Sequence, residues 1–260
     1  MRDLVKEATE QVLWLRRYAR ALTGSQVVGD AYVSALCEHL VQERPALAKD
    51  EKPRVVLYRL FTAIYNSTAA PGAEKYKPSC KVIGRTPLPR QAFLLVCVEG
   101  FSPEEAAHIL HVDPARVNAM IEETKRGLSA QPPANVLLLN RDPFIMMELE
   151  SILEDLGHRV VAAARTHAEA VKKAAGKRLE LVFANTIMAD GSSGLDAAGD
   201  LAESFHAAAI FVTGYPQRLL TGQRREPVFV IDAPFQPLTI VAMTSQVLFL
   251  RRQQRDATSG

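Results

Sequence analysis

Five short apolar segments in the second half of the chain, separated by amphipathic stretches of about helix length, constrain its fold most strongly. These segments are NVLLL (135–139), RVVAA (159–163), ELVFA (180–184), AAIFV (208–212) and VFVI (228–231). Because they are apolar after the first residue, both faces of the predicted strands should be covered, as in a parallel sheet between two layers of helices. Right-handed crossovers then predict a doubly wound α/β domain. Functional residues are expected at the carboxyl ends of its strands.

The first half of the chain shows a different pattern, in which apolar residues recur at helical spacing and no strand alternation is convincing. Helices are predicted over residues 4–22, from Gly29 or Asp30 onward, and over RVVLYRLFTAIYNS (54–67). We interpret the basic cluster of the first helix as a solvent-exposed face. It consists of Arg16, Arg17 and Arg20. The residues expected to be available for the core are Leu13, Trp14, Tyr18, Leu22, Leu57, Leu60, Phe61 and Ile64.

Proline-rich segments divide the chain into domains. The adjacent prolines at 132 and 133 cannot continue a helix and favour an extended connection, so we place the domain boundary there. Upstream, a stretch rich in proline, glycine, serine and lysine predicts a linker between helical pieces. The predicted organisation is a helical subdomain (1–66), a linker (67–86), a second helical subdomain (87–131) and an α/β domain (134–252).

The composition excludes several classes of protein. At 260 residues, with 48% hydrophobic and 23% charged residues, the chain is typical of a soluble two-domain protein. A net charge of +2 gives little reason to expect non-specific nucleic-acid binding. No apolar stretch is long enough to span a membrane, and the N-terminus lacks a signal core. The cysteines at 37, 80 and 97 show no metal-binding spacing, so we expect reduced thiols and a cytoplasmic protein.

The segment SPEEAAHILHVDPARVNAMIEE predicts a helix-turn-helix. Ser102 is a suitable N-cap, Pro103 follows at the first helical position, and Glu105 completes a capping box. Residues 111–128 contain three basic and three acidic residues, so this segment has no net charge. DNA binding requires an excess of positive charge to contact the phosphates. We therefore expect no DNA binding. His108 and His111 have no metal-binding partner at fixed spacing, and we expect no metal there.

Several stretches resemble the PhyR family of response regulators, and together they cover essentially the whole chain. LGHRVVAAARTHAEAV, ADGSSGLDA, FVTGYPQRLLTG and PFQP are similar to the receiver of that family. RRYARALTGSQVVGDAYV and EGFSPEEAAHIL are similar to its sigma-factor-like domain. The resemblance implies an all-α domain, built like regions 2 and 4 of a sigma factor, followed by a flavodoxin-like receiver with a five-stranded parallel sheet. It also implies a regulator in two-component signalling, and not an enzyme.

The predicted phosphorylation site departs from the pattern of that family. A receiver that accepts phosphate holds Mg²⁺ with acidic residues after its first strand, and the corresponding positions here are Asn140, Arg141 and Asp142. The phosphoacceptor position is Asn185, whose amide cannot attack a phosphoryl donor. Mg²⁺ prefers charged oxygen ligands, which an asparagine and an arginine do not supply. We therefore expect no phosphorylation and no Mg²⁺ or other cofactor.

The switch positions of the receiver are only partly retained. Thr213 is kept, whereas Val230 stands at a position that is often aromatic and Ala233 stands where a lysine is expected. Arg141 leaves two interpretations open. Its guanidinium could replace the charges of the metal and the lysine, with hydrogen bonds to Asn185 or Thr213, or it could point into solvent.

The resemblance implies a function in partner switching. In the PhyR family, the phosphorylated protein frees its sigma-like domain to capture the anti-sigma factor NepR, and the stress sigma factor is released. We predict an anti-anti-sigma factor of the general stress response that binds a NepR-type protein without receiver phosphorylation. One alternative is a locked or decoy paralogue whose receiver clamps the sigma-like domain. Another is a DNA-binding sigma factor with an attached receiver. A histidine kinase and an active PhyR paralogue are further candidate partners of such a protein.

Overall fold

The computed structural model describes residues 4–43, 51–67, 85–128, 131–222 and 226–259. Most of the predicted linker 67–86 lies outside the described residues. The chain folds as two units, each built from more than one stretch of sequence. The first unit comprises Met1–Thr124, Leu220–Glu226 and Leu248–Gly260, and the second comprises Lys125–Leu219 and Pro227–Val247.

Before residue 131 the described chain is helical. Its helices are α1 (Leu4–Thr23), α2 (Gln26–Glu43), α3 (Pro53–Ser67), α4 (Leu88–Cys97), α5 (Pro103–Leu110) and α6 (Pro114–Leu128). The predicted first and third helices are confirmed. The predicted start of the second helix is wrong, because α2 begins at Gln26, where the Ser25 hydroxyl accepts a hydrogen bond from the amide of Val28.

Gly29 lies inside α2 because the helix crosses α1 closely at this residue. A Cβ atom at Gly29 would lie 2.8 Å from the backbone nitrogen of Arg20. That distance is too short for any side chain, so the glycine serves packing and does not mark the start of a helix. The sequence pattern could not distinguish these two uses of glycine.

An aromatic cluster forms the core of the first unit. Tyr18 of α1 lies 5.5 Å from Tyr58 and 5.8 Å from Phe61, both of α3, between ring centroids. Phe61 also stacks on Tyr65. Such tilted and edge-to-face pairs add to the free energy gained by burying the rings. Of the residues expected in the core, four are buried: Tyr18, Leu22, Leu57 and Phe61. The other four are only partly buried: Leu13, Trp14, Leu60 and Ile64.

The predicted helix-turn-helix is confirmed in α5 and α6. Ser102 and Glu105 form the complete capping box at the start of α5. His111 ends α5 in the left-handed conformation, with a φ of 54°. Asp113 then accepts a hydrogen bond from the amide of Ala115 and starts α6. This local sequence therefore determines the turn between the two helices.

The second unit contains a five-stranded parallel sheet with the order β2-β1-β3-β4-β5, which confirms the predicted doubly wound fold. The strands are β1 (Asn135–Leu139), β2 (Arg159–Ala164), β3 (Leu181–Ala184), β4 (Ala208–Thr213) and β5 (Phe229–Asp232). The helices of this part of the chain are α7 (Pro143–Asp155), α8 (His167–Ala174), α9 (Gly194–Phe205) and α10 (Pro237–Ser259). The C-terminal part of α10 belongs to the first unit. None of the described helices has the length and apolarity needed to cross a membrane.

The register of the sheet brings the loops after three strands together. Leu139 of β1 is aligned with Ala164 of β2 on one side and with Ala184 of β3 on the other. The residues that follow these strands therefore share one edge of the sheet, and they include the predicted acceptor position. Ligands of doubly wound sheets bind at this edge, where the strand order reverses between β1 and β3.

Candidate functional site

Two asparagines meet at the carboxyl edge of the sheet. Asn140 is buried at the end of β1 and Asn185 follows β3, and the Asn185 amide nitrogen lies 3.4 Å from the Asn140 side-chain oxygen. The Asn140 oxygen also accepts a hydrogen bond from the backbone of Asp142. The Asn185 oxygen accepts from the amide of Ile187 and from the hydroxyl of Thr186. Both amide side chains are thus engaged in shaping their own loops.

The loop after Asn185 is closely packed. Ile187 and Ser193 form an antiparallel bridge, and the amide of Gly194 donates to the carbonyl of Thr186. A Cβ atom at Gly194 would lie 1.9 Å from the backbone oxygen of Asn185. No side chain fits there, so this glycine allows the loop to close on the start of α9.

Asp142 and Arg141 occupy different environments at this edge. The Asp142 carboxylate caps α7 by accepting a hydrogen bond from the amide of Phe144 at 2.9 Å. Arg141 is exposed. Within the described ranges its guanidinium makes no hydrogen bond to Asn185 or Thr213, so the structure follows the second of the two interpretations of Arg141.

The three residues at the predicted switch positions differ in their burial and contacts. Thr213 is 3% exposed, and its hydroxyl accepts a hydrogen bond from the amide of Tyr215. Val230 is fully buried in the sheet. Ala233 is partly buried, donates its amide to the carbonyl of Thr213, and precedes Pro234 through a cis peptide bond.

This edge does not fit Mg²⁺. The Asn140 oxygen already accepts a hydrogen bond from the backbone, the Asp142 carboxylate caps a helix, and Arg141 adds a positive charge. Mg²⁺ requires an octahedral shell of oxygen ligands, with carboxylates supplying negative charge. Among the residues that the structure describes, no cluster of three or more His, Cys, Asp or Glu side chains could hold a metal, at His108 and His111 or elsewhere.

A second site of interest, a buried ion pair, lies within the first unit. Arg17 of α1 binds Glu99 with two hydrogen bonds of 2.9 Å, and the Glu99 side chain is fully buried. The Tyr58 hydroxyl donates to the same carboxylate at 2.8 Å. Burial, followed by the nearby Glu99 charge, raises the pKa of Tyr58 well above its usual value. Residues from both predicted helical subdomains therefore share one buried polar network.

Arg20 anchors a segment that lies far away in the sequence. Its guanidinium is fully buried and forms ion pairs with Asp30 at 2.7 Å and with Glu226 at 2.8 Å. One turn earlier, Arg16 donates to the carbonyls of Leu220 and Thr221. The interpretation of this basic cluster as a solvent-exposed face is wrong for Arg17 and Arg20. Both are buried, and the carboxylates of Glu99, Glu226 and the partly exposed Asp30 compensate their charges. Those partners are 10 to 206 residues away in the chain, so helical periodicity gave no sign of them.

Glu226 also binds two residues that lie shortly before it in the sequence. Its carboxylate accepts hydrogen bonds from the hydroxyl and amide of Thr221 and from the amide of Gly222. Burial acts to raise the pKa of Glu226, but these hydrogen bonds and the charge of Arg20 outweigh it and hold the pKa below its usual value. Thr221 and Gly222 are thus linked to Arg20 of α1 by a carboxylate that is ionised at neutral pH.

The surface of α6 carries charges of both signs. Arg116 and Arg126 are exposed, and so are Glu122 and Glu123. A helix that reads DNA needs an excess of cations for the phosphates. The mixed surface of α6 does not provide that excess.

Comparisons with known proteins agree with this architecture. The family model for the sigma-like domain of response regulator PhyR matches residues 85–131, and the model for the sigma2 domain of PhyR matches residues 9–62. The chain is 48% identical over 248 residues to the phyllosphere-induced regulator PhyR of Methylorubrum extorquens, covering 93% of each protein.

Two crystal structures are similar over nearly the whole chain. The response regulator PhyR from Brucella abortus is 38% identical, with a TM-score of 0.86 and 98% of each chain covered. The anti-anti-sigma factor PhyR from Bartonella quintana is 36% identical, with a TM-score of 0.85, covering 98% of this chain and 99% of that one. The Bartonella quintana protein has also been crystallised in complex with the anti-sigma factor NepR.

Proposed function

The chain belongs to the PhyR family of response regulators, and we propose that its sigma-like helices bind a NepR-type anti-sigma factor during a general stress response. Support comes from the complex of the Bartonella quintana relative with NepR. The protein is then an anti-anti-sigma regulator of the cytoplasm that acts by protein–protein binding and not by catalysis. Partner capture by helical surfaces of this kind uses the apolar face of an amphipathic peptide.

The proposal includes independence from receiver phosphorylation, and the Asn140–Asn185 pair is the observation that carries it. In this proposal Asn185 stands at the acceptor position, and Asn140, Arg141 and Asp142 stand at the metal position. Thr213, Val230 and Ala233 stand at the switch positions. An amide is not a nucleophile toward a phosphoryl group, and without metal ligands the donor lacks the charge neutralisation that phosphoryl transfer needs.

Titration of the purified full-length protein with a NepR-type protein, followed by calorimetry, tests the binding proposal. We expect a complex with a Kd on the order of 1 μM in the absence of any phosphodonor. Adding an acyl phosphate with Mg²⁺ should leave the affinity unchanged. Failure to bind under either condition would contradict the proposal.

Intact-mass measurement after treatment with an acyl phosphate and Mg²⁺ tests the chemistry separately. Neither the natural protein nor Asn185→Asp should gain a phosphoryl group, because restoring one carboxylate does not restore the metal ligands. A phosphoryl adduct on Asn185→Asp would show that a functional metal site remains.

A locked protein is the second candidate, and the contacts of Leu220–Glu226 favour it. This segment lies between β4 and β5 in sequence, yet it is bound by Arg16 and Arg20 within the first unit. If those contacts clamp the sigma-like helices, the natural protein binds NepR weakly and cannot be released by phosphate.

The substitution Glu226→Gln discriminates between the two candidates. It removes the carboxylate charge that Arg20 pairs with but leaves α1 and α2 intact. Binding to NepR that becomes about 10-fold tighter would identify a clamp, whereas unchanged binding would support the constitutive protein. Glu123→Gln, on the exposed surface of α6, is the matched control and should change nothing.

A further inference from the structure

Two exposed arginines lie next to each other at the carboxyl edge of the sheet in the second unit. Arg141 follows β1 by two residues, and Arg165 follows β2 directly. Because Leu139 and Ala164 are aligned in the parallel register, both arginines reach the same edge. The Arg165 Nε atom donates to the carbonyl of Arg141 at 3.3 Å, which holds the two loops together.

These arginines line an open cavity of about 410 Å³. Its other lining residues are Asp142, Pro143, Phe144 and Ala189. The Phe144 ring is 78% exposed although it stands at the start of a well-formed helix. A single exposed ring is common on protein surfaces, but this one lies beside two cations, where it can contact the organic part of an anionic ligand. The cavity thus combines two cations with an aromatic wall.

The guanidinium groups of Arg141 and Arg165 form no ion pair with a carboxylate within the described part of the chain. Nearby acids have other partners: Glu169 pairs with Lys173 and accepts from the Arg165 backbone amide, and Asp190 accepts from Ser192. The Glu169 carboxylate also interacts with the charge of Arg165, without forming an ion pair with it. Asp142 caps α7. Positive charge therefore exceeds negative charge in the cavity lining, by two guanidinium groups to one carboxylate.

We propose that this cavity binds a phosphate-bearing small molecule without covalent chemistry. The two guanidinium groups contact the phosphate oxygens, for which their planar donor geometry is suited, and the Phe144 ring contacts the organic part. All six lining residues belong to the second unit, so the proposed site does not involve the sigma-like helices proposed to bind NepR.

NMR titration of the ¹⁵N-labelled full-length protein, without Mg²⁺, tests the proposal with two probes. Inorganic phosphate represents the free anion, and phenyl phosphate represents a phosphate ester with an aromatic group. We expect shifts of the backbone amides of Arg141, Phe144, Arg165 and Ala189 with both probes. Phenyl phosphate should bind about 5-fold more tightly because it also covers the Phe144 ring.

Single substitutions measure how much each lining residue contributes to the affinity for the two probes. Arg141→Gln and Arg165→Gln should each weaken the binding of both probes about 10-fold. Phe144→Ala should remove the advantage of phenyl phosphate and leave the binding of inorganic phosphate unchanged. Arg159→Gln is the matched control, since Arg159 is also exposed but lies at the opposite end of β2.

Three outcomes would overturn the proposal. The first is the absence of amide shifts at about 10 mM of either probe. The second is binding that neither arginine substitution weakens. The third is binding that appears only after Mg²⁺ is added, because that would assign the site to a metal. Unchanged circular dichroism of each variant ensures that a loss of binding reflects the site and not unfolding.

Discussion

The two units place their arginines in opposite environments. In the first unit Arg17 and Arg20 are almost completely buried, and each forms a short ion pair with a carboxylate. In the second unit Arg141 and Arg165 are exposed and form no ion pair with a carboxylate among the described residues. Burial of an unpaired charge is prohibitively costly, so the first pair is possible only because its carboxylates are present.

The charged arginines of the first unit stabilise its structure, whereas those of the second unit are available to bind a ligand. Glu99 and Glu226 connect segments that are 82 and 206 residues away from their arginines in sequence. At the edge of the sheet, the two asparagines form a neutral pair while the neighbouring arginines keep their charge available. Buried pairs thus fix the architecture of the first unit, and exposed cations give the second unit its binding potential.

The largest effect is expected from Glu99→Gln in the first unit. Loss of the carboxylate leaves the buried Arg17 charge without its partner, which should lower the free energy of unfolding by about 3–5 kcal/mol. Urea unfolding followed by circular dichroism measures this change. Arg141→Gln is the matched change at the exposed site and should cost less than about 0.5 kcal/mol. Equal costs at both positions would contradict the difference between the buried and the exposed arginines.

Gly194→Ala tests the packing of the loop that follows Asn185 in the second unit. The added Cβ would meet the backbone oxygen of Asn185, so the loop must shift, at a cost of about 1–3 kcal/mol. A Cβ atom at Gly199, in the same helix, would have no neighbouring atom within 4 Å. Gly199→Ala should therefore stabilise the protein by up to about 1 kcal/mol, because alanine favours the helix more than glycine does. Thermal unfolding of the two variants measures the contrast, and similar behaviour of both would argue against a closely packed loop.

Glu226→Gln is expected to cost about 2 kcal/mol at neutral pH, since the hydrogen bonds that the substitution weakens are to a charged group. The folded-state pKa of Glu226 lies below its usual value of 4.5. Its contribution to stability is therefore complete above that value and is lost as the pH falls through the lower, folded-state pKa. Unfolding curves of the natural protein and the variant should converge in acid. A difference independent of pH would show that the charge of Glu226 is unimportant.

The smallest effect is expected at two histidines that end helices in the left-handed conformation, one in each unit. His111 has a φ of 54° and His206 a φ of 49°. Glycine adopts this conformation without strain, so His111→Gly and His206→Gly should each stabilise the protein by about 0.5 kcal/mol. Differential scanning calorimetry can resolve the rise in Tm. Destabilisation at one position alone would reveal a histidine side-chain interaction specific to that unit.

Most of the architecture could be predicted from local patterns. The apolar strands predicted the parallel sheet, and Ser102, Pro103 and Glu105 predicted the start of α5, because strand burial and helix capping depend on neighbouring residues. The predicted start of α2 failed at Gly29, where a close helix crossing rather than a helix end requires glycine. Asn140 and Asn185 lie close together because the carboxyl ends of parallel strands share one edge of the sheet, which the sequence pattern indicates. The hydrogen bonds of each amide could not be predicted from that pattern.

Local sequence patterns alone predicted most of the helices, the five strands and the family resemblance. They also predicted that two asparagines and an arginine occupy positions at the edge of the sheet where a metal-binding receiver has acidic residues. Which arginines are buried depends on contacts between segments that are distant in the sequence. Arg16, Arg17 and Arg20 look equivalent on a helical pattern, yet Arg17 and Arg20 are enclosed with carboxylates brought from distant segments. The energy of a charge depends on its partners and its access to water, and both are set by residues far away in the chain.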